Sequence, residues 1–354
     1  MKIKRSSLKK PDLSRLRRKK SDEDADSGLL RITNDTVAAH REAVLSSARK
    51  YIYPLQHSKH RVVKISVSLL VAAVIGFFVY LGLALYKFQS TNSFVYGVTQ
   101  VIPLPVAKAG SSYVSYNSYL FELRHYLHYY RTQQQIDFSS VSGKQQTAEF
   151  KRRSLNKVIE IAYAKQLAKK HGVIVSSKDL DNDIALVRAQ NRLGGSDQVF
   201  KDVLSEFWGW TVTDFKRELS DEILEQKVVA KLDTSTQDKA KAAYAQLQQG
   251  ADFAAVAKVS SDDTATAAGG GVYPIAIDRS NRDIAPQLVA TLTSMKAGEY
   301  SAVINTGYRL EIVKIISVSN GKIQAAHISF ALKDITVYTD QLQTQSKPRR
   351  FIGI

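Results

Sequence analysis

The apolar pattern changes character three times along the chain. From Ile65 to Tyr86, between Lys64 and Lys87, 22 residues run without a charged side chain, ISVSLLVAAVIGFFVYLGLALY. At about 1.5 Å per residue they make a helix of roughly 33 Å, long enough to cross a hydrocarbon core of ~30 Å. Beyond residue 111 apolar positions recur every three or four residues, the mark of helices that bury one face. Tyr119, Leu123, Tyr126, Leu127 and Tyr130 form the first such set, and Leu155, Val158, Ile159, Ala162 and Leu167 the second. Leu180, Ile184 and Val187, then Val199, Phe200, Val203, Leu204 and Phe207, then Phe215, Leu219, Ile223 and Val228 continue it. Gly172, Gly194-Gly195 and Gly209 stand where helices end, and Ser176, Ser177 and either Thr211 or Thr213 where they begin. An amphipathic helix over 238–249 follows, with Ala240, Ala243, Tyr244 and Leu247 on one face.

Charge gives the apolar run a direction. The first 64 residues hold 17 basic against 7 acidic side chains, a surplus of 10 within a net charge of +17. Arg49, Lys50, Lys59, Arg61 and Lys64 crowd its N-terminal flank, whereas only Lys87 and Lys108 occur beyond it before Arg124. The positive-inside rule then predicts a retained single-pass anchor, with the N-terminus cytoplasmic and the C-terminal domains extracytoplasmic. A 64-residue charged region before the run is too long for a cleaved leader. The tail (LKKPDLSRLRRKK, then SDEDADS) reads as a disordered topology determinant near lipid; no aromatic precedes Tyr51, so no specific nucleic acid is expected. Cysteine is absent, which excludes disulfides, thiolate metal sites and thiol catalysis.

The expected architecture is a membrane-anchored multidomain chain. It comprises a largely disordered basic tail (1–60), a transmembrane helix (61–87), a linker broken by Pro103 and Pro105 (88–110), an all-α domain (111–231), and an α+β domain with an antiparallel sheet (232–354).

The order of the helical signals, LNKVIEIAYAKQLAKKHGVIVSSKDLDNDI and then GGSDQVFKDVLSEFWGWTVTDFKRELSDEILEQKVV, resembles the N-terminal chaperone domain of SurA-like periplasmic proteins. Downstream, Gly250-Ala251-Asp252-Phe253, Ser261-Asp262-Asp263, Gly269-Gly270, Gly298-Glu299-Tyr300-Ser301 and Gly307-Tyr308 resemble, in order, the motifs of parvulin-type peptidyl-prolyl isomerases. That resemblance implies a helix-covered antiparallel sheet, no cofactor, and a reaction without a nucleophile. It places Asp263 at the family's Asp/Cys position, with Leu288, Met295 and Tyr308 on the substrate side. The two strand histidines are missing from their usual places: Arg309 follows Gly307-Tyr308, and no His-bearing strand precedes the first helix.

Ala325-Ala326-His327-Ile328-Ser329-Phe330 resembles the missing first strand, and Asn320-Gly321 before it is a two-residue hairpin signal. Pairing Ser319 with Lys322 would set Lys314 opposite His327 and turn Arg309 to the other face, unless a bulge intervenes. Asp263 and His327 are the candidate catalytic residues. Three further features are weaker. Glu122, His125 and His128 have a spacing that metal ligands use, without a fourth ligand. Gly269-Gly270-Gly271 lacks the Lys-Ser/Thr of a phosphate loop, and Trp208 and Trp210 suit a helical core. Seven aromatic residues between Tyr113 and Tyr130 exceed what one helix face buries, so some should line a peptide-gripping surface.

The function expected is a membrane-anchored extracytoplasmic foldase that binds unfolded or proline-containing exported polypeptides. Weak or absent isomerisation follows from the lost histidines. The alternatives are a catalytically degenerate parvulin-like peptide-binding chaperone and a membrane scaffold with a basic cytosolic docking tail.

Overall fold

The computed structural model describes residues 33–52, 55–190 and 196–354, grouped in two units that divide after Phe77. In the first, α1 (Asn34–Ile52) corrects the expectation of an unstructured tail for those residues. It lacks Gly and Pro, carries four alanines, and starts where Thr33 and Thr36 bond each other's backbone and side chain. Residues 1–32 of that tail lie outside the described residues. From Val62 to Tyr80 the helix α2 (Leu55–Gly82) exposes apolar side chains, among them Ile65, Leu69, Leu70 and Ile75. Among the described residues, His60–Lys87 is the one helix long and apolar enough to cross a membrane.

The second unit begins with the end of that helix, where α2 passes into a single π turn, Leu83–Lys87. Leu81, Ala84 and Leu85 are buried, and the Tyr116 hydroxyl donates to the Leu85 carbonyl at 2.5 Å. The segment expected as a linker is folded: α3 (Ser93–Val101) is capped by Asn92, and β1 (Pro105–Ala109) pairs with β2 (Ser112–Ser115). The prolines do not prevent this, because Pro105 only opens the strand while Val106, Ala107 and Ala109 are buried. The helices α4 (Tyr116–Thr132), α5 (Val141–His171), α6 (Ser177–Gln190), α7 (Asp197–Val203, then a π turn to Trp208) and α8 (Val212–Leu232) follow. Their ends match the sequence signals: Gly172 and Gly209 adopt positive φ, and Thr211 and Asp214 form a reciprocal capping box. Gly194-Gly195 falls outside the described residues.

The α+β part contains α9 (Thr234–Gln248), α10 (Phe253–Ser260), α11 (Thr264–Ala267), α12 (Pro286–Ser294), β3 (Ile304–Asn305), β4 (Arg309–Ser319) and β5 (Lys322–Ala331). The strands form an antiparallel sheet in the order β3-β4-β5. Alternation splits its two faces cleanly. Leu310, Ile312, Ala326, Ile328 and Phe330 pack on α9 and α10, whereas Val313, Ile315, Ile323 and Ala325 pack on α12 and Tyr273.

Two boundaries expected from the sequence are corrected by the chain's last residues. After β5, α13 (Thr336–Gln345) packs on α5 and β6 (Arg349–Arg350) pairs with β1. The helical domain therefore owns a three-stranded sheet, β2-β1-β6, and is not all-α; residues 333–354 belong with it. Ile335 draws the chain back, since it is buried among Ala164, Leu167, Ala168, Val228 and Val229.

Asp233 ties the crossing connections together. Fully buried between α8 and α9, it accepts from the Thr236 and Lys333 backbone N–H groups and from the Ser235 hydroxyl, with Lys333 Nζ 3.3 Å away. Burial raises its pKa, but the N–H of Lys333 and the groups of Thr236 and Ser235 outweigh this and hold it at about 2. Asp233→Ala should cost about 2–4 kcal/mol in urea unfolding at neutral pH, because it leaves buried donors unpaired. A carboxylate held below its ordinary 3.8 stabilises above that value and loses the effect as pH falls toward 2, so the gap between wild type and variant should close over that window.

Candidate active site

The site is built on one strand pairing. Ser319 lies opposite Lys322, as the Asn320-Gly321 turn predicts, but Val313 rather than Lys314 lies opposite His327. The register shifts between Ile315 and Ser317, leaving Ile316 as an extra, bulged residue. The expected opposition of Arg309 and His327 is thereby overturned: Arg309, Glu311, Val313 and His327 share a face. The physical reason is the cost of the unbulged alternative. There Glu311 would enter the apolar cluster of Phe330, Ile328 and α9–α10, and Leu310 and Ile312 would leave it. One bulge returns every side chain to its proper environment.

On that face His327 is held from both ring nitrogens. Nδ1 lies 2.9 Å from Glu311 Oε2, and Nε2 lies 2.9 Å from Asp263 Oδ2 and 3.0 Å from Thr266 Oγ1. Thr266 in turn donates its hydroxyl to Asp263 Oδ2 at 2.7 Å. The Tyr273 ring stacks on the imidazole with centroids 4.3 Å apart. Glu311 and His327 are buried, while Asp263 is half-buried at the mouth. Carboxylate oxygens only accept, so an imidazolium satisfies both bonds; a neutral ring satisfies one and turns its bare nitrogen to the Thr266 hydroxyl.

The neighbouring groups are tuned by the same contacts. The Thr266 hydroxyl, against a raising effect of burial, and then the Ala265 N–H and His327 hold the Asp263 carboxyl below its ordinary value. Burial first, and then the Glu311 charge, push the Tyr273 hydroxyl up, with Arg309 near enough to oppose them. Arg309 Nε is buried and makes no hydrogen bond.

The loop between α10 and α12 delivers Asp263 and Tyr273 by following the outer edge of β5. Asp262 N–H donates to the Ser329 carbonyl, and Ala331 N–H to the Asp262 carboxylate. Further along, Val272 and Ile277 bridge Ala326 and Ile323, and His327 N–H donates to the Gly271 carbonyl at 2.8 Å. The otherwise open strand edge is thus covered. Between these anchors α11 rises over His327, with Asp263 as its cap.

Of the residues expected in the site, Asp263 and His327 meet, and Leu288, Met295 and Tyr308 are not gathered around them. Leu288 is fully buried on the inner face of α12, closing the core behind Tyr273 and Val313. Met295 caps that helix and packs half-buried on the same cluster. Tyr308 is exposed, and its hydroxyl donates to Glu222 on α8 at 2.6 Å. Glu311, Thr266 and Tyr273 escaped the sequence reading. Glu311 alone left a trace, as the single carboxylate within the apolar strand RLEIVKII.

The helical domain departs from expectation in its aromatics. Tyr116, Tyr119 and Phe121 are buried, because α4 is covered by α5, β1 and β2 as well as by the π turn before Gly209. Tyr126 and Tyr130 pack on Phe150, and of the seven only Tyr113 is exposed. Trp210 stacks between Phe121 and His125, with Trp208 beside it. His128 bonds the Glu206 carbonyl, and Glu122 is buried against Glu218, where burial and that second carboxylate push its pKa up to about 8. These three side chains do not converge as ligands.

Residues 55–229 match the family model described as SurA-like N-terminal domain, and residues 223–317 match that of the PPIC-type PPIASE domain. Among solved structures the chain is similar to the foldase protein PrsA from Streptococcus pneumoniae, at 17% identity over 68% of this chain and 85% of that chain, with a TM-score of 0.19. No curated protein matches.

Gly271 is the position where backbone and site meet. Its φ is 78°, and a Cβ there would lie 2.1 Å from the His327 carbonyl oxygen. Gly271→Ala should therefore cost about 3 kcal/mol or more in chemical denaturation, against less than about 1 kcal/mol for Gly269→Ala, where the nearest atom is 3.4 Å away.

Proposed function

We propose that this chain, which belongs to the SurA-like, parvulin-type foldase family, is a membrane-anchored extracytoplasmic foldase that binds unfolded, proline-containing polypeptides and turns their X-Pro bonds. The observation that carries the reading is the meeting of Asp263, Thr266, Glu311 and His327 on one face of the β3-β4-β5 sheet. Anchoring is supported by the apolar helix His60–Lys87, and orientation by the Lys/Arg bias across it.

The reaction makes and breaks no covalent bond. Rotation is slow because it must give up amide resonance, about 18–20 kcal/mol in a free peptide. A site accelerates it by binding the twisted amide better than either planar form, through donors that meet its localised charge in a dry enclosure. Here the unpaired Arg309 Nε is the donor with no other partner, and Glu311 and Asp263 hold the imidazole rigid between them. Arg309, standing where the family has a histidine, favours a second reading, a peptide-holding domain that turns over weakly or not at all.

The two readings separate in an isomerisation assay on X-Pro peptides with the full chain in detergent or bilayer. The foldase reading expects a measurable acceleration that falls on the order of tenfold in Asp263→Ala and in His327→Ala, with folding intact. No acceleration, with aggregation of a denatured client still slowed, would leave the holding role alone.

A further inference from the structure

The chain leaves the apolar helix through a turn that the helical domain grips tightly. Phe88 N–H donates to Leu83 O and Ser90 N–H to Ala84 O, and Gln89 takes a positive φ of 48° between them. Six residues after Lys87 begins α3, whose inner face, Val95 and Thr99, is buried. The flank beside that face is also apolar. Phe94, Val98 and Val101 recur at i, i+4 and i+7, with Phe94 60% and Val101 82% exposed, and Phe88 on the preceding turn 68% exposed. A soluble helix does not ordinarily leave so wide an apolar flank uncovered.

Cations surround the same turn. Lys87 closes the helix, and Lys151 Nζ bonds the Gln89 side chain, which itself donates to the Gly353 carbonyl three residues beyond Arg350. Arg124 holds the Thr91 carbonyl from the other side. An exposed apolar helix face, bordered by basic side chains and joined by a short gripped turn to a membrane-length helix, has the composition of an interfacial element.

We propose that α3 and the turn before it are a membrane-contacting foot: Phe88, Phe94, Val98 and Val101 sink into the outer interface of the bilayer, with Lys87 and Lys151 on anionic headgroups. The occupant is the lipid surface, because only residues 88–92 separate this helix from the end of the apolar one, and their turn is fixed by backbone hydrogen bonds. The foot fixes the helical domain against the bilayer instead of leaving it on a free stalk. It rests on reading His60–Lys87 as a span, and the test separates the two.

The chain contains no cysteine, so single-cysteine labels are clean. Val71→Cys, Val101→Cys and Val259→Cys, all at exposed positions, would carry an environment-sensitive fluorophore in the full chain reconstituted into phosphatidylcholine vesicles, with or without phosphatidylglycerol, containing lipids with quencher-bearing acyl chains. The span requires quenching at position 71; the foot requires roughly twofold or greater quenching at 101, rising with the anionic lipid, and next to none at 259. Quenching at 71 with 101 indistinguishable from 259 overturns the foot and leaves the span standing, whether 101 is bare or covered by a second polypeptide. No quenching at 71 overturns both. Equal quenching at 101 in neutral and anionic bilayers overturns the headgroup contacts.

Discussion

The bulge at Ile316 is the constraint on which the candidate site depends. A two-stranded pairing transmits register along its whole length, so one extra residue decides which side of the sheet each later side chain occupies. With it, Glu311 faces His327 and the apolar residues Leu310 and Ile312 face α9 and α10. Core and site are thus satisfied by the same displacement. The carboxylate would be expensive in the apolar cluster, and its removal to the other face is what creates a buried partner for the imidazole.

A second constraint acts at the scale of domains. The strand that completes the isomerase-like sheet comes after the others in sequence, and the chain then runs on into α13 and β6 to complete the helical domain. Asp233 and Lys333 mark where the outgoing and returning segments pass each other, and their hydrogen bonds join the two connections at one buried point. The position of the strand that carries His327 and the integrity of the helical domain are therefore coupled through a few residues.

Much of this was legible in the sequence, for identifiable reasons. The apolar run from Ile65 to Tyr86, the helix ends at Gly172, Gly209 and Thr211, and the Asn320-Gly321 hairpin are local signals, and each appears where expected. Family motifs and that hairpin single out Asp263 and His327 separately, without indicating their contact. What stayed hidden is non-local. The bulge has no sequence signature, because it arises from competition between two faces of a sheet. Strands β1 and β6 are short and find each other across more than 230 residues, so neither looks like a strand alone. Tyr116, Tyr119 and Phe121 overran a one-face estimate because α4 is covered on several sides.

The most direct test of the site is a double-mutant cycle on Glu311→Ala and His327→Ala, read by the stability of the full chain in chemical denaturation. If the bulge sets both side chains on one face in hydrogen-bond contact, the two losses should be non-additive, with a coupling of about 1–3 kcal/mol. Additivity within about 0.5 kcal/mol would put the residues on opposite faces and contradict the account.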